Sequence, residues 1–78
     1  MRSEEAILAY NQAIEISPRA VFYNNRAHFY GKQGQVQLAL AGYNQALEIN
    51  PNYANAYNNR ANLYQQQGEV QLALADYN

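Results

Sequence analysis

Cysteine is absent from the 78-residue chain, histidine occurs once, and only 14% of residues are charged. Each shortage removes a class of function. Without cysteine there is no disulfide framework and no thiolate chemistry, and no clue to redox compartment. Five basic against six acidic residues leave a formal charge of -1, so nothing draws the chain electrostatically to nucleic acid or to anionic lipid. Long hydrophobic runs are missing too. The run from Ala6 to Ala9 is broken at Tyr10 and is too short for the core of a signal peptide or for a membrane span. The cytoplasm is the default location on this basis, although the tail of a larger secreted or membrane protein would read the same way. A chain of this length holds one small domain with a modest core.

What the chain has in excess is carboxamide. Asn and Gln make up about a quarter of it. Such bias can accompany disorder, but here Ala, Leu, Ile and Tyr interrupt the amides at regular intervals. The regularity comes from repetition. "YNNRAHFYGKQGQVQLALAGYN" (Tyr23 to Asn44) superposes on "YNNRANLYQQQGEVQLALADYN" (Tyr57 to Asn78) with a shift of 34, and sixteen of the twenty-two pairs are identical. A partial third copy, "AILAYNQAIEISP" (Ala6 to Pro18), matches "ALAGYNQALEINP" (Ala39 to Pro51) with a shift of 33. One residue is missing between Pro18 and Tyr23 relative to the later unit. The gap falls in a turn, where deletions are best tolerated.

Each unit reads as two helices. Ala54, Tyr57, Ala61 and Tyr64 recur at three- and four-residue spacing, and Gly68 ends the run. Val36, Ala39, Leu40, Tyr43, Ala46 and Leu47 form a second periodic run, stopped by Asn50-Pro51. Ser3 is the expected N-cap of the leading helix, with Glu4 and Glu5 in its first turn. The pattern predicts five helices near 3–16, 19–32, 35–49, 53–66 and 69–77.

A period of 34 with Gly at the inner turn and Pro at the outer one resembles the tetratricopeptide repeat. Tyr57, Ala61, Tyr64, Gly68, Ala73 and Tyr77 fill that family's aromatic, small and turn positions. Tyr23, Ala27, Tyr30, Gly34, Ala39 and Tyr43 repeat them, continuing through Ala46 to Pro51, and Ala6, Tyr10, Ala13 and Pro18 supply the partial copy. The resemblance implies an all-α fold, a superhelical solenoid of antiparallel helix pairs forming a single domain over 1–78. Within it, 1–19 is a partial repeat holding only a second helix, 20–53 a complete repeat, and 54–78 another partial one. The chain then reads as a piece of a longer array. Its uncapped ends, with Ile7, Leu8, Ile14 and Ile16 on one side and Val70, Leu74 and Tyr77 on the other, imply self-association into homo-oligomers.

Catalytic constellations are missing. His28 stands alone on the exposed side of a helix, and Glu4 and Glu5 are adjacent and suit a solvated helix start. No metal-ligand spacing or phosphate-cradling loop is present, so no enzyme activity, cofactor or metal is expected. Seven of the eight tyrosines fall on the repeat's aromatic positions and read as core. Stacking on nucleic-acid bases would need exposed rings and a basic groove, which the charge balance does not supply.

The polar face is more informative. Asn55, Asn58, Asn59, Asn62 and Gln66 follow one helical stripe, and Val21, Asn24, Asn25, His28 and Lys32 occupy the equivalent places one unit earlier. In tetratricopeptide arrays the first helices of successive repeats line a concave groove that holds peptides. The resemblance therefore implies a protein-interaction scaffold binding a partner segment there, the alternative being a structural spacer without a groove ligand. Asn25 and Asn59 resemble the asparagine ladder of the superhelical repeat domain of O-linked N-acetylglucosamine transferase, where amides bind a peptide main chain. A carboxamide donates and accepts, so it can pair with a guest's backbone whatever its side chains. The clamp for acidic chaperone tails needs several Lys or Arg on neighbouring first helices, and Lys32 is the sole lysine, so that specificity is rejected. Arg26 and Arg60 are further possible ligand contacts, with an internal pair between Arg60 and Asp76 as the alternative. Gly42 stands where the middle unit would need the matching carboxylate, and a glycine inside a helix is expected to weaken it by about 1 kcal/mol relative to Ala.

Overall fold

The structure, a computed structural model, describes residues 2–77. Among them are five helices: α1 (Ser3–Ile16), α2 (Ala20–Lys32), α3 (Val36–Ile49), α4 (Ala54–Gln66) and α5 (Val70–Tyr77). Four of the five begin one residue later than the sequence pattern places them. The expected cap at Ser3 is corrected. Arg2 has extended backbone angles and its carbonyl accepts the Ala6 N–H at 3.0 Å, so Arg2 is the cap and Ser3 already lies inside the helix.

Two glycines make the inner turns. Gly34 and Gly68 both have φ of 78°, which an L side chain rarely adopts. After α2, the Gln35 N–H bonds the Tyr30 carbonyl at 2.9 Å and the Gly34 N–H bonds that of Gly31 at 3.0 Å. After α4, Glu69 to Tyr64 at 2.8 Å and Gly68 to Gln65 at 3.0 Å repeat the arrangement. Both are Schellman closures, which satisfy the last carbonyls while reversing the chain. The outer turns differ from one another. Asn50 closes the later one by accepting the Tyr53 N–H on its carbonyl at 3.1 Å and the Asn52 N–H on its side chain at 3.2 Å. In the earlier turn, shorter by one residue, the Arg19 N–H reaches the Ser17 carbonyl at 2.8 Å instead. The deletion is absorbed there without disturbing the helices on either side.

Short turns make antiparallel neighbours, and α2 packs on α3 and α4 on α5, while α1 packs on α2 and α3 on α4. Direct contact between α2 and α4 completes the stack. Alanines fill the contact lines. Ala27 and Ala39 are buried with Tyr43 and Leu63, with Tyr30, Val36 and Leu40 packed around them. Ala46, Leu47 and Ala56 form a second cluster with Tyr23, Tyr53 and Tyr57 at its edge. Small residues let the helices approach, and tyrosine rings close the gaps.

Gly42 is the tightest of these contacts. A Cβ there would lie 2.8 Å from the Ala27 Cβ and 3.3 Å from the Tyr23 carbonyl oxygen. Beside the propensity cost expected of Gly42, its missing methyl lets α2 and α3 approach closely.

Candidate functional site

Contact between α2 and α4 sets their polar faces side by side. A cavity of about 210 Å³ opens on that seam, lined by His28, Gly31 and Lys32 of α2, Tyr43 of α3, and Asn59, Asn62, Leu63 and Gln66 of α4. Five residues singled out from the sequence, His28, Lys32, Asn59, Asn62 and Gln66, share it. Their three- and four-residue spacing keeps them on one side of each helix while alanines on the adjoining stripe take the packing.

Asn24 behaves differently from the exposed amide expected of it. It is only 3% exposed, the one buried polar side chain among the described residues. Burying a carboxamide is costly without partners, and α4 supplies one: Asn59 Nδ2 donates to Asn24 Oδ1 at 3.1 Å. Asn24 Nδ2 in turn points at Asn25 Oδ1, a longer and weaker contact at 3.4 Å. Asn25, Asn24 and Asn59 thus form a row of amides bridging the two first helices. Asn24 is turned into the fold, between Asn25 and Asn59. Asn25 and Asn59 are half-buried at the ends of the row. Asn58, the counterpart of Asn24, is exposed and borders a separate cavity of about 530 Å³ with Pro51, Tyr57, Asp76 and Tyr77. Asn55 is exposed and lines neither cavity.

The two arginines weighed as ligand contacts are engaged within the fold. Arg60 clasps Asp76 through Nε (2.8 Å) and Nη2 (2.7 Å) and donates from Nη1 to Asn44 Oδ1 at 2.6 Å. Its guanidinium lies 5.6 Å from the Tyr57 ring centre and 5.9 Å from that of Tyr64. The Asp76 hydrogen bond raises the Arg60 pKa above its ordinary value, against the opposing effect of burial. The side chains are 19% and 8% exposed, so this is no loose surface pair. Arg26 repeats the arrangement between Tyr23 and Tyr30, at 5.4 and 5.7 Å, and donates to Asn11 Oδ1 at 2.7 Å. With Gly42 in place of the aspartate, its buried Nε has no partner.

Tyr43, Gly31 and Leu63 belong to the cavity but were not singled out from sequence, where a tyrosine stripe reads as core. A comparison of the two copies carries the missing signal. The Tyr77 hydroxyl donates to Asn62 Oδ1 and lies 3.2 Å from Gln65 Oε1. The counterparts of those amides beside Tyr43 are His28 and Gly31, so Tyr43 has no such partners on α2. Burial raises the Tyr43 phenol to about 12, which keeps the hydroxyl protonated at neutral pH. Among the described residues, no group of three or more His, Asp and Glu side chains is placed to hold a metal ion, and no helix is long and apolar enough to cross a membrane.

A family model described as TPR repeat matches residues 28–68, just over half of the chain, and a second, described as tetratricopeptide repeat, matches residues 2–19. No curated protein matches the sequence. With its period of 34, its glycine-closed helix pairs and these two matches, the chain belongs to the tetratricopeptide repeat family.

Proposed function

We infer that this chain is a protein–protein interaction module, as tetratricopeptide repeats generally are. We propose that this chain holds an extended segment of a partner protein along the seam between α2 and α4, with Asn25 and Asn59 as rungs that bind the guest's main chain. The observation that carries the reading is the Asn59–Asn24 hydrogen bond of 3.1 Å, which fixes one rung by spending a single amide N–H. Asn59 keeps its oxygen and its second N–H for a guest, and Asn25 keeps its whole NH2 group. Adjacent packed helices lie about 8–10 Å apart, and an extended strand advances about 3.3 Å per residue. A rung therefore meets the guest about every third residue. Two rungs make a small interface, so micromolar to millimolar affinity is expected.

Titration of isotope-labelled protein with a blocked alanine pentapeptide, followed by NMR, tests the reading. The side-chain amide signals of Asn25 and Asn59 should shift together, and the shifts should shrink in Asn59→Ala. Shifts confined to the terminal helices would sink it. A second reading, a self-associating spacer, is favoured by the exposed apolar residues at both ends. Ile16 is 86% exposed and Leu8 63%, and Val70, Leu72, Leu74 and Tyr77 are also uncovered. It expects α1 and α5 signals to move on dilution and sedimentation to give more than the monomer mass at high micromolar concentration.

A further inference from the structure

Three positions at which the otherwise near-identical copies differ, His28, Gly31 and Lys32, line the cavity between α2 and α4. Gly31 stands where the later unit has Gln65, and His28 where it has Asn62. In the later unit those amides engage the Tyr77 hydroxyl. In the earlier unit nothing on α2 does the same for Tyr43, and Gly31 and Tyr43 both line the cavity of about 210 Å³. The contents of that space are one-sided. Tyr43, which carries a hydroxyl, and His28 line it together with Lys32, whose ammonium lies 6.0 Å from the Phe29 ring centre. Asn62, whose oxygen is taken by Tyr77, has both amide hydrogens left to give. No carboxylate lines the cavity, although acidic residues outnumber basic ones in the chain as a whole.

We infer that this cavity is a seat for one carboxylate of the guest, held by hydrogen bonds from the Tyr43 hydroxyl and the Asn62 amide and by the charge of Lys32. The seat depends on the groove reading for how the guest arrives, and it adds a side-chain preference to main-chain binding that is otherwise indifferent to sequence. It is not the clamp for acidic tails. That clamp needs several cations on first helices, whereas this seat draws its floor from a tyrosine of α3 and has Lys32 as its only lysine. A carboxylate, with two oxygens and about four lone-pair sites, matches three donors on different helices, and charge-assisted bonds are about twice as strong as neutral ones. A glutamine of the same shape would keep one oxygen acceptor but face the donors with its NH2.

Three blocked or free peptides separate the possibilities in one NMR titration series: an alanine pentapeptide with central glutamate and amidated C-terminus, the same peptide with glutamine, and an all-alanine pentapeptide with a free C-terminal carboxylate. The glutamate peptide should bind about five- to tenfold tighter than the glutamine one and add shifts at Gly31, Asn62 and Gln66. Tyr43→Phe and Lys32→Gln should each bring that ratio close to one while leaving the Asn25 and Asn59 shifts in place. If the advantage falls to the free-terminus peptide, the seat stands and takes a main-chain carboxylate. Equal binding of glutamate and glutamine peptides, with Asn25 and Asn59 still shifting, overturns the seat and leaves the groove. Absence of shifts at Asn25 and Asn59 with every peptide overturns the groove, and the seat then survives only if the glutamate peptide still moves Gly31, Asn62 and Gln66.

Discussion

Replacing Gly42 by alanine sets two physical effects against each other, and their signs are opposite. Helix propensity alone favours the change by about 1 kcal/mol, because glycine loses more backbone freedom on folding. Packing opposes it. The new methyl would stand 2.8 Å from the Ala27 Cβ and 3.3 Å from the Tyr23 carbonyl oxygen, where carbon atoms prefer about 3.5–4.0 Å. Neither neighbour can swing aside: one is a methyl fixed to its backbone, the other is helix backbone itself. Relief therefore requires α2 and α3 to separate by several tenths of an ångström along their closest line, loosening Ala39, Tyr43 and the contacts behind them. Overpacking of this kind costs about 1–3 kcal/mol, so after the propensity gain of about 1 kcal/mol the net loss should be about 0–2 kcal/mol. In a domain of this size each kcal/mol moves the melting temperature by about 4–8 °C. Thermal unfolding followed by far-UV circular dichroism should place Gly42→Ala below the parent, by up to about 15 °C. The pair Ala27→Gly with Gly42→Ala moves the methyl across the contact and should recover most of the loss, giving a coupling of about 1–2 kcal/mol between the sites. A rise in melting temperature for Gly42→Ala would refute the close-approach account outright.

Three further outcomes follow from the same geometry. Asp76→Ala strands the Arg60 guanidinium between Tyr57 and Tyr64 with Asn44 alone, and should cost about 2 kcal/mol in thermal unfolding, between the values for exposed and fully buried pairs. Asn24→Ala removes the acceptor of Asn59 Nδ2 and should cost about 1–2 kcal/mol, with faster hydrogen exchange in α2 and α4 and weaker peptide-induced shifts at Asn59. Tyr43 should govern alkaline stability. Its phenol stands at about 12 in the folded chain and about 10 when unfolded. Between those values the folded state keeps a proton that the unfolded state has released. The stabilisation is therefore complete below about pH 10 and is lost as pH rises through the folded value, with about 1 kcal/mol gone by about pH 11. Denaturant unfolding at a series of alkaline pH values should show a shallower fall for Tyr43→Phe than for the parent.

Most of the helix plan was legible because period and punctuation agree. Gly34 and Gly68 mark turns that need a positive φ, and Asn50-Pro51 stops α3, so five segments could be placed to within a residue at their starts. Ser3 misled because a serine before two glutamates looks like a cap, whereas the chain begins its helical turn one residue earlier. Inside the site, legibility was limited to faces. Asn24 and Asn25 are neighbours on one helix, about 100° apart, and both are polar. Which of them turns inward depends on where α4 crosses, and no local pattern encodes that. The same holds for Gly42, whose propensity cost is visible in the sequence but whose contact with Ala27 is tertiary. Tyr43 was hidden for a different reason: its aromatic neighbours along the repeat are core, and only the replacement of Asn62 and Gln65 by His28 and Gly31 sets it apart.

The unequal arginine cages give two nearly identical helix pairs different responses to their surroundings. In the later pair, ion pairing ties Arg60 to α5 through Asp76. In the earlier pair Arg26 finds no carboxylate on α3, and interlocking shape at Gly42 takes over. Added sulfate screens the attraction between charges, less for a partly buried pair than for an exposed one, and strengthens the burial of apolar surface. Raising ionic strength should therefore loosen α4 from α5 while leaving α2 and α3 clasped, so that one half of the molecule frays before the other although the two are spelled almost alike.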